Sequence, residues 1–246
     1  MTQSVNHFTV IESVYGRFIV NRHCSFQAEH LIKTGLPHID SELRGILAIV
    51  ETLPHDCVVV DAGANIGLIS IPIAQAIKKN AGVVHAFEVQ RMMHYALCGA
   101  AALNDLTNLF AHHLGLGARS ESRKLPLLDY GQSQDFGTLS LVDQEMDVPS
   151  EPVGIVPLDA FGLPRLDFLK VDVEGMELDV LRGSRRMLES FEPWCWVEYW
   201  ITGSDPIKQQ FEGLAYEFYR MDQFNMLCAP KLRLGNSSIR ISGEQI

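Results

Sequence analysis

One feature constrains this chain more than any other: from Cys57 onward, short apolar runs take turns with helical periods. The order is "CVVVDA", "IGLISIPIAQAIKK", "VVHAFE", "RMMHYALCGAAALND" and "NLFAHHLGL", and later "LDFLKVD", "MELDVLRGSRRMLESF" and "WCWVEYW". The valine-rich runs are too short for helices and show no in–out alternation, so they predict strands covered on both faces. Strands joined through helices close by right-handed crossovers, which lay helices on both faces of one parallel sheet. The expectation is an α/β, doubly wound, mostly parallel sheet with ligands at the carboxyl ends of its strands.

Residues 1–54 have a different texture. "HFTVIESVYGRFIVNR" predicts a β-hairpin about Tyr15 and Gly16, and "FQAEHLIKTG" and "IDSELRGILAIVETL" predict helices, the first stopped at Gly35. These form an N-terminal cap on a core of residues 55–246. Within that core the alternation stops between Arg119 and Ala160. Short strands in "SRKLPLLDYGQSQDFGTLSLV" and "GIVPLDAF", around the polar "DQEMDVPSEP", predict an inserted β-arm over about residues 119–160. The tail "YEFYRMDQFNMLCAP" predicts a closing hairpin.

Composition narrows the function. A formal net charge of −10 repels a polyphosphate backbone, so nucleic acid is not the expected partner. The opening "MTQSVNHFTV" lacks the charged and apolar regions of a signal peptide, and the most apolar later stretch is broken by Asp61 and Asn65, so no membrane span is expected. Five cysteines without CxxC or zinc-ligand spacing read as reduced residues, several of them in core elements. A cytoplasmic enzyme is the expectation.

The first strand leads into Asp61-x-Gly63-x-Asn65-x-Gly67, a glycine turn at the strand-to-helix junction. Two ligand classes use such a turn. A dinucleotide sets its pyrophosphate on the helix N-terminus, usually with G-x-G-x-x-G, but here Asn65 stands where the second glycine would be. A carboxylate at Asp61 repels a pyrophosphate and attracts an ammonium. S-adenosylmethionine carries an ammonium, a sulfonium and no phosphate, and its carboxylate can use the helix amides. Glu88, at the end of the second strand, suits the two hydroxyls of an adenosine ribose. The competing reading makes Asp61 a helix cap and Glu88 a solvated strand-end charge.

Four stretches, "VVVDAGANIGLISIPIA", "VHAFEVQ", "FGTLSL" and "LDFLKVDVEGMELDVLRGSRRML", together resemble the FkbM-type family of class I S-adenosylmethionine-dependent methyltransferases. The resemblance runs roughly from Tyr15 to Tyr199, and its "KVDVEGME" core followed by "LRG" is more specific than the glycine turn. It implies a seven-stranded, Rossmann-like sheet and methyl transfer to a hydroxyl of a sugar or other small metabolite. It carries the cofactor role onto Asp61, Gly63, Asn65, Gly67 and Glu88. The segment "HLGLGARSES" after the third strand has no obvious acid to read the adenine amine.

Methyl transfer to a hydroxyl needs an aligned acceptor and a group that takes its proton. Alternation along "LDFLKVDVEG" puts Lys170, Asp172 and Glu174 on one side of an extended chain. In the strand order that the resemblance implies, the following strand runs alongside and brings Glu198 to the same edge. Asp172, helped by Glu198, is the expected general base, and Asp172 is also placed against the cofactor. Glu174 completes a trio that could instead hold a divalent metal, or it could cap the helix that starts near Met176. His112 and His113 lie near the adenine end, His23, His30 and His38 lie in the cap, Tyr199 and Trp200 are candidates for the acceptor pocket, and the N-terminal hairpin and the arm around Tyr130 to Phe136 are expected to shape the acceptor site. The remaining rivals are a non-catalytic S-adenosylmethionine-binding protein and an NAD-dependent dehydrogenase of similar topology.

Overall fold

The computed structural model describes residues 6–133, 136–137, 149–235, 239 and 241–246. The chain opens with an antiparallel hairpin, β1 (Phe8–Ser13) and β2 (Gly16–Asn21), in which Ser13 pairs with Gly16 across the turn. Two helices follow, α1 (Ser25–Thr34) and α2 (Asp40–Val50), the first ended by a left-handed Gly35. Tyr15 Oη donates to Asp40 Oδ1 over 2.8 Å, which ties the hairpin turn to the first residue of α2.

The alternating units come next: β3 (Val58–Ala62), α3 (Ser70–Lys78), β4 (Val83–Phe87), α4 (Arg91–Leu103) and β5 (Leu109–His112). All five residues of β3 are buried, as expected of a central parallel strand. After the arm come β9 (Phe168–Val171), helices α5 (Glu177–Gly183) and α6 (Arg185–Phe191), and β10 (Trp194–Glu198). The sequence predicted one helix over "MELDVLRGSRRMLESF", but it divides at Ser184. That hydroxyl bonds back to the Val180 carbonyl at 2.7 Å, a contact that bends helices. The chain ends with α7 (Ser204–Gln209), the hairpin β11 (Tyr216–Arg220) and β12 (Asn225–Pro230), α8 (Lys231–Gly235) and the short β13 (Glu244–Gln245).

These strands form one sheet in the order β13-β11-β12-β10-β9-β3-β4-β5. The five strands from β10 to β5 are parallel and β12 runs antiparallel beside β10. Seven strands thus match the expected sheet, and β13 adds a two-residue edge. One apolar core, including Ile46, Ile71, Leu97 and Trp196, fills one side, and a second, including Leu169, Val180, Leu188 and Phe211, fills the other. Four of the five thiols are buried within this framework. No helix of the described residues is long and apolar enough to cross a membrane.

The arm is a separate three-stranded sheet of β6 (Gly115–Leu116), β7 (Glu121–Pro126) and β8 (Ser150–Val156). The second strand lies earlier than "GIVPLDAF" suggested. Pro157 lacks the N–H to continue the ladder, and a 3-10 turn over Leu158–Ala160 follows it. Of "FGTLSL", only Phe136 and Gly137 fall within the described residues.

Candidate active site

Pairing brings four strand ends level. Ala62 stands beside Phe87 on one side and Val171 on the other, and Val171 stands beside Val197. The next residues of those strands, Gly63, Glu88, Asp172 and Glu198, therefore emerge together. They border a cavity of about 460 Å³ at the carboxyl edge of the sheet.

Asp61 is fully buried. Its Oδ2 accepts the Ser70 hydroxyl at 2.5 Å, and Oδ1 lies 3.8 Å from Lys170 Nζ with no hydrogen-bond partner among the described residues. It caps no backbone amide, since α3 has no side-chain cap. Burial pushes its pKa up, opposed by Lys170 and Ser70. Glu88 is 4% exposed, so it is no solvated strand end. Its two oxygens accept the Asn65 and Gln90 amides, each at 2.7 Å. Burial raises its pKa to about 7 even so.

The glycine turn between these acids is sterically determined. Gly63 has φ +84°, and a Cβ there would lie 1.7 Å from the Asp172 carbonyl oxygen. The Gly63 and Ala64 amides both donate to the Phe87 carbonyl, at 3.0 and 2.9 Å. With the Asn65 amide held by Glu88, these three N–H groups are already taken. Asn65 itself is left-handed at φ 49°, and its Oδ1 is buried without a partner among the described residues. Gly67 has φ +88° and packs against Leu97 and Ile71 behind the turn.

At the other end of the cavity, one oxygen from each of Asp172, Glu174 and Glu198 lies within 4.8 Å of the others. Lys170 Nζ donates to Asp172 Oδ2 at 2.9 Å. Burial opposes the charge on Lys170, but Asp172, Asp61 and Glu42 together outweigh it and hold the ammonium protonated. Glu198 Oε2 is buried without a hydrogen-bond partner among the described residues, and its pKa is raised first by burial and then by Asp172 and Glu174.

The predicted alternation ends at Asp172. Beyond it, Glu174 (φ 52°) and Gly175 (φ 101°) turn the chain, so Val173 and Glu174 both line the cavity. Glu177, not Glu174, serves the turn, accepting the Gly175 amide at 2.9 Å and the Val173 amide at 3.3 Å.

Several expected contributors lie elsewhere. His112 stacks on Phe87 and meets His85 at 3.0 Å, and His113 Nε2 lies 3.0 Å from the Val89 carbonyl oxygen; neither lines the cavity. Trp194 and Trp196 are core residues, Trp200 is 55% exposed, and neither Trp200 nor Tyr199 reaches the cavity. The β1–β2 hairpin and the arm at Tyr130 and Phe136, expected to shape the acceptor site, do not line the cavity; Phe8, Ile11, Tyr15, Ile19 and Tyr130 pack against the apolar core instead. Tyr130 stacks on a fully buried Phe136 at 5.0 Å, and the arm meets the cavity through Gly137 and Ile155.

The cap contributes through its helices. Gln27, His38, Ile39, Ser41 and Glu42 line the cavity. Gly45 makes this possible, because a Cβ there would meet the Trp196 ring at 2.9 Å, so α2 can lie directly on β10. Glu42 Oε1 is buried without a hydrogen-bond partner among the described residues, and its pKa rises to about 7 through burial, with Lys170 opposing. The sequence held a signal for it: Glu42 shares a helical stripe with Ile39, Ile46 and Ile49. The β11–β12 turn supplies Asp222, Phe224 and Asn225, which carried no comparable signal. Asp222 Oδ1 accepts the amides of Phe224 and Asn225, each at 2.7 Å, and so fixes that turn.

Comparison with known proteins agrees with this geometry. The methyltransferase FkbM domain model matches residues 61–225. "Methyltransferase 1" of Beauveria bassiana is 32% identical over 159 residues, which cover 54% of this chain and 61% of the relative. "Methyltransferase sdnD" of Sordaria araneosa is 32% identical over 166 residues, covering 54% and 62%. The chain thus spans about six-tenths of the length of these curated relatives. The crystal structure of the methyltransferase FkbM from Methylobacillus flagellatus superposes with a TM-score of 0.53 at 18% identity, over 72% of this chain and 44% of that one.

Proposed function

From the premise that this chain belongs to the FkbM methyltransferase family, we propose that it is an S-adenosylmethionine-dependent O-methyltransferase acting on a hydroxyl of a sugar or other small metabolite. One observation carries the cofactor reading. The glycine turn has no free amide among its first three and is flanked by the carboxylates of Asp61 and Glu88, and among the described lining residues Lys170 is the sole lysine or arginine. A diphosphate would meet repulsion there, whereas a ligand with a sulfonium and an ammonium meets attraction.

Asp61, Gly63, Asn65, Gly67, Glu88 and Asp172 would hold this cofactor. The uncommitted Oδ1 of Asp61 suits an ammonium, and Glu88, which has lone pairs beyond the two it commits to amides, suits the ribose hydroxyls. When bound, the cofactor supplies an electrophilic methyl group on a sulfonium. At the acceptor end Asp172 takes the hydroxyl proton, Lys170 fixes its carboxylate, and Glu198 and Glu174 orient the acceptor. A divalent cation would have the same three carboxylates as ligands, but Lys170 already neutralises Asp172, so the proposal does not require one.

Calorimetric titration with S-adenosylhomocysteine tests the reading. The wild type should bind it, Asp61→Asn should weaken binding by about 1.5–3 kcal/mol, and NADH fluorescence should not respond. Failure of the wild type to bind S-adenosylhomocysteine would overturn the reading.

A further inference from the structure

Val89, Leu116, Ile155 and Met176 give the cavity apolar lining, and Val89, Ile155 and Met176 pack in one cluster. A flat heteroaromatic ring suits such lining. Gln90, two residues after Glu88 and only 4% exposed, is a polar lining residue. Its Nε2 donates to the Phe136 carbonyl at 2.5 Å. A carbonyl oxygen can only accept, so this bond fixes which end of the amide is which. The other end, Oε1, is buried and has no hydrogen-bond partner among the described residues. An acceptor stripped of water and left unpaired destabilises the structure, and that cost is recovered elsewhere or when a ligand binds.

The group that answers it is an N–H donor on the edge of a ring seated beyond the ribose site. Gln90 follows Glu88 by two residues, and its own amide is bound by that carboxylate. Its position is thereby locked to the group that would hold the ribose. The loop after β5, where an adenine-reading acid was sought in the sequence, contributes only Gly115 and Leu116 to the lining and no polar side chain.

We infer that Gln90 selects the nucleobase: its Oε1 accepts the exocyclic amine of the cofactor's adenine, and the arm, through the Phe136 carbonyl, keeps the amide turned that way. This rests on the S-adenosylmethionine reading above. Phe136 is itself held, stacked on Tyr130 whose carbonyl accepts the Asn21 side-chain amide at 2.9 Å. The inserted arm thus becomes a positioning device for cofactor recognition.

The test compares S-adenosylhomocysteine with two analogues, one with a 6-oxo group (inosine base) and one lacking the 6-amino group (purine base), by calorimetry on the full chain. The wild type should prefer the adenine compound by about tenfold or more. Gln90→Met, matched in length but without an acceptor, should bring the three compounds within about threefold of one another. Glu88→Gln should weaken all three alike and keep their ratio. A preserved adenine preference in Gln90→Met, with an unchanged melting transition, would overturn the inference. So would a wild type that binds all three equally, a result independent of whether the variant folds. A wild type that binds none overturns the cofactor reading together with this one.

Discussion

The two ends of the cavity are built in opposite ways. At the glycine-turn end, Gly63, Ala64 and Asn65 give their amides to Phe87 and Glu88, all within two consecutive strand-to-helix units. At the acceptor end, Glu42, Asp172, Glu198 and Asp222 come from a cap helix, two strands and a distant turn, and Glu42 and Glu198 each keep a buried oxygen unpaired. The first end is rigid because the backbone amides of its turn are satisfied locally. The second holds excess negative charge around one ammonium, which is the condition of a surface waiting for a polar or cationic partner. Precision is needed where an invariant cofactor would bind, and adjustable charge where the acceptor would bind.

The harshest way to break the contrast is at the rigid end. Gly63→Ala must move the Asp172 carbonyl or abandon φ +84°, and it should cost more than about 4 kcal/mol in urea unfolding or prevent folding altogether. A tolerated Gly63→Ala would mean that the turn is not rigid. Next comes the ammonium shared by both ends. Lys170→Met leaves Asp61 and Asp172 without their buried counter-charge, and about 3 kcal/mol of stability should disappear at neutral pH. Protonation of Asp61 at low pH should restore part of it.

The mildest effect is expected at Glu42, and it sharpens the contrast through pH. Its folded pKa, about 7, lies above the ordinary carboxyl value. The proton therefore favours the fold: the contribution is complete below pH 4.5 and is lost as pH rises through 7. Glu42→Gln stays neutral, so it should match the wild type at about pH 4 and exceed it by about 1–2 kcal/mol at about pH 8. Glu88 titrates in the same window in both proteins and cancels in the difference. Equal melting curves at both pH values would show that Glu42 is not in an acidic, desolvated setting.

Legibility followed the same division. Asp61, Gly63, Asn65, Gly67 and Glu88 could be singled out from spacing alone, because the first turn and the next strand end are near neighbours in any parallel sheet. Asp172 and Glu198 were reachable through strand order. Tyr199 and Trp200 were misplaced as pocket residues because β10 ends at Glu198 and the chain turns away. Glu42 was visible only as an acid in an apolar stripe, and nothing in "MDQFN" announced that Asp222, Phe224 and Asn225 would border the same space. The hairpin was overrated as a pocket wall because β-rich sequence says nothing about which face of the body it covers.

The sequence by itself determined the sheet, its helices and the acids at its first two strand ends, since those depend on periodicity and on contacts between adjacent units. Only the tertiary structure decided that α2 would lie on Trp196 and deliver Glu42, that Lys170 would stand between Asp61 and Asp172, and that Phe136 would orient Gln90. Each of these is a meeting of segments far apart in the chain, and it depends on packing distances and buried charge that no local pattern encodes.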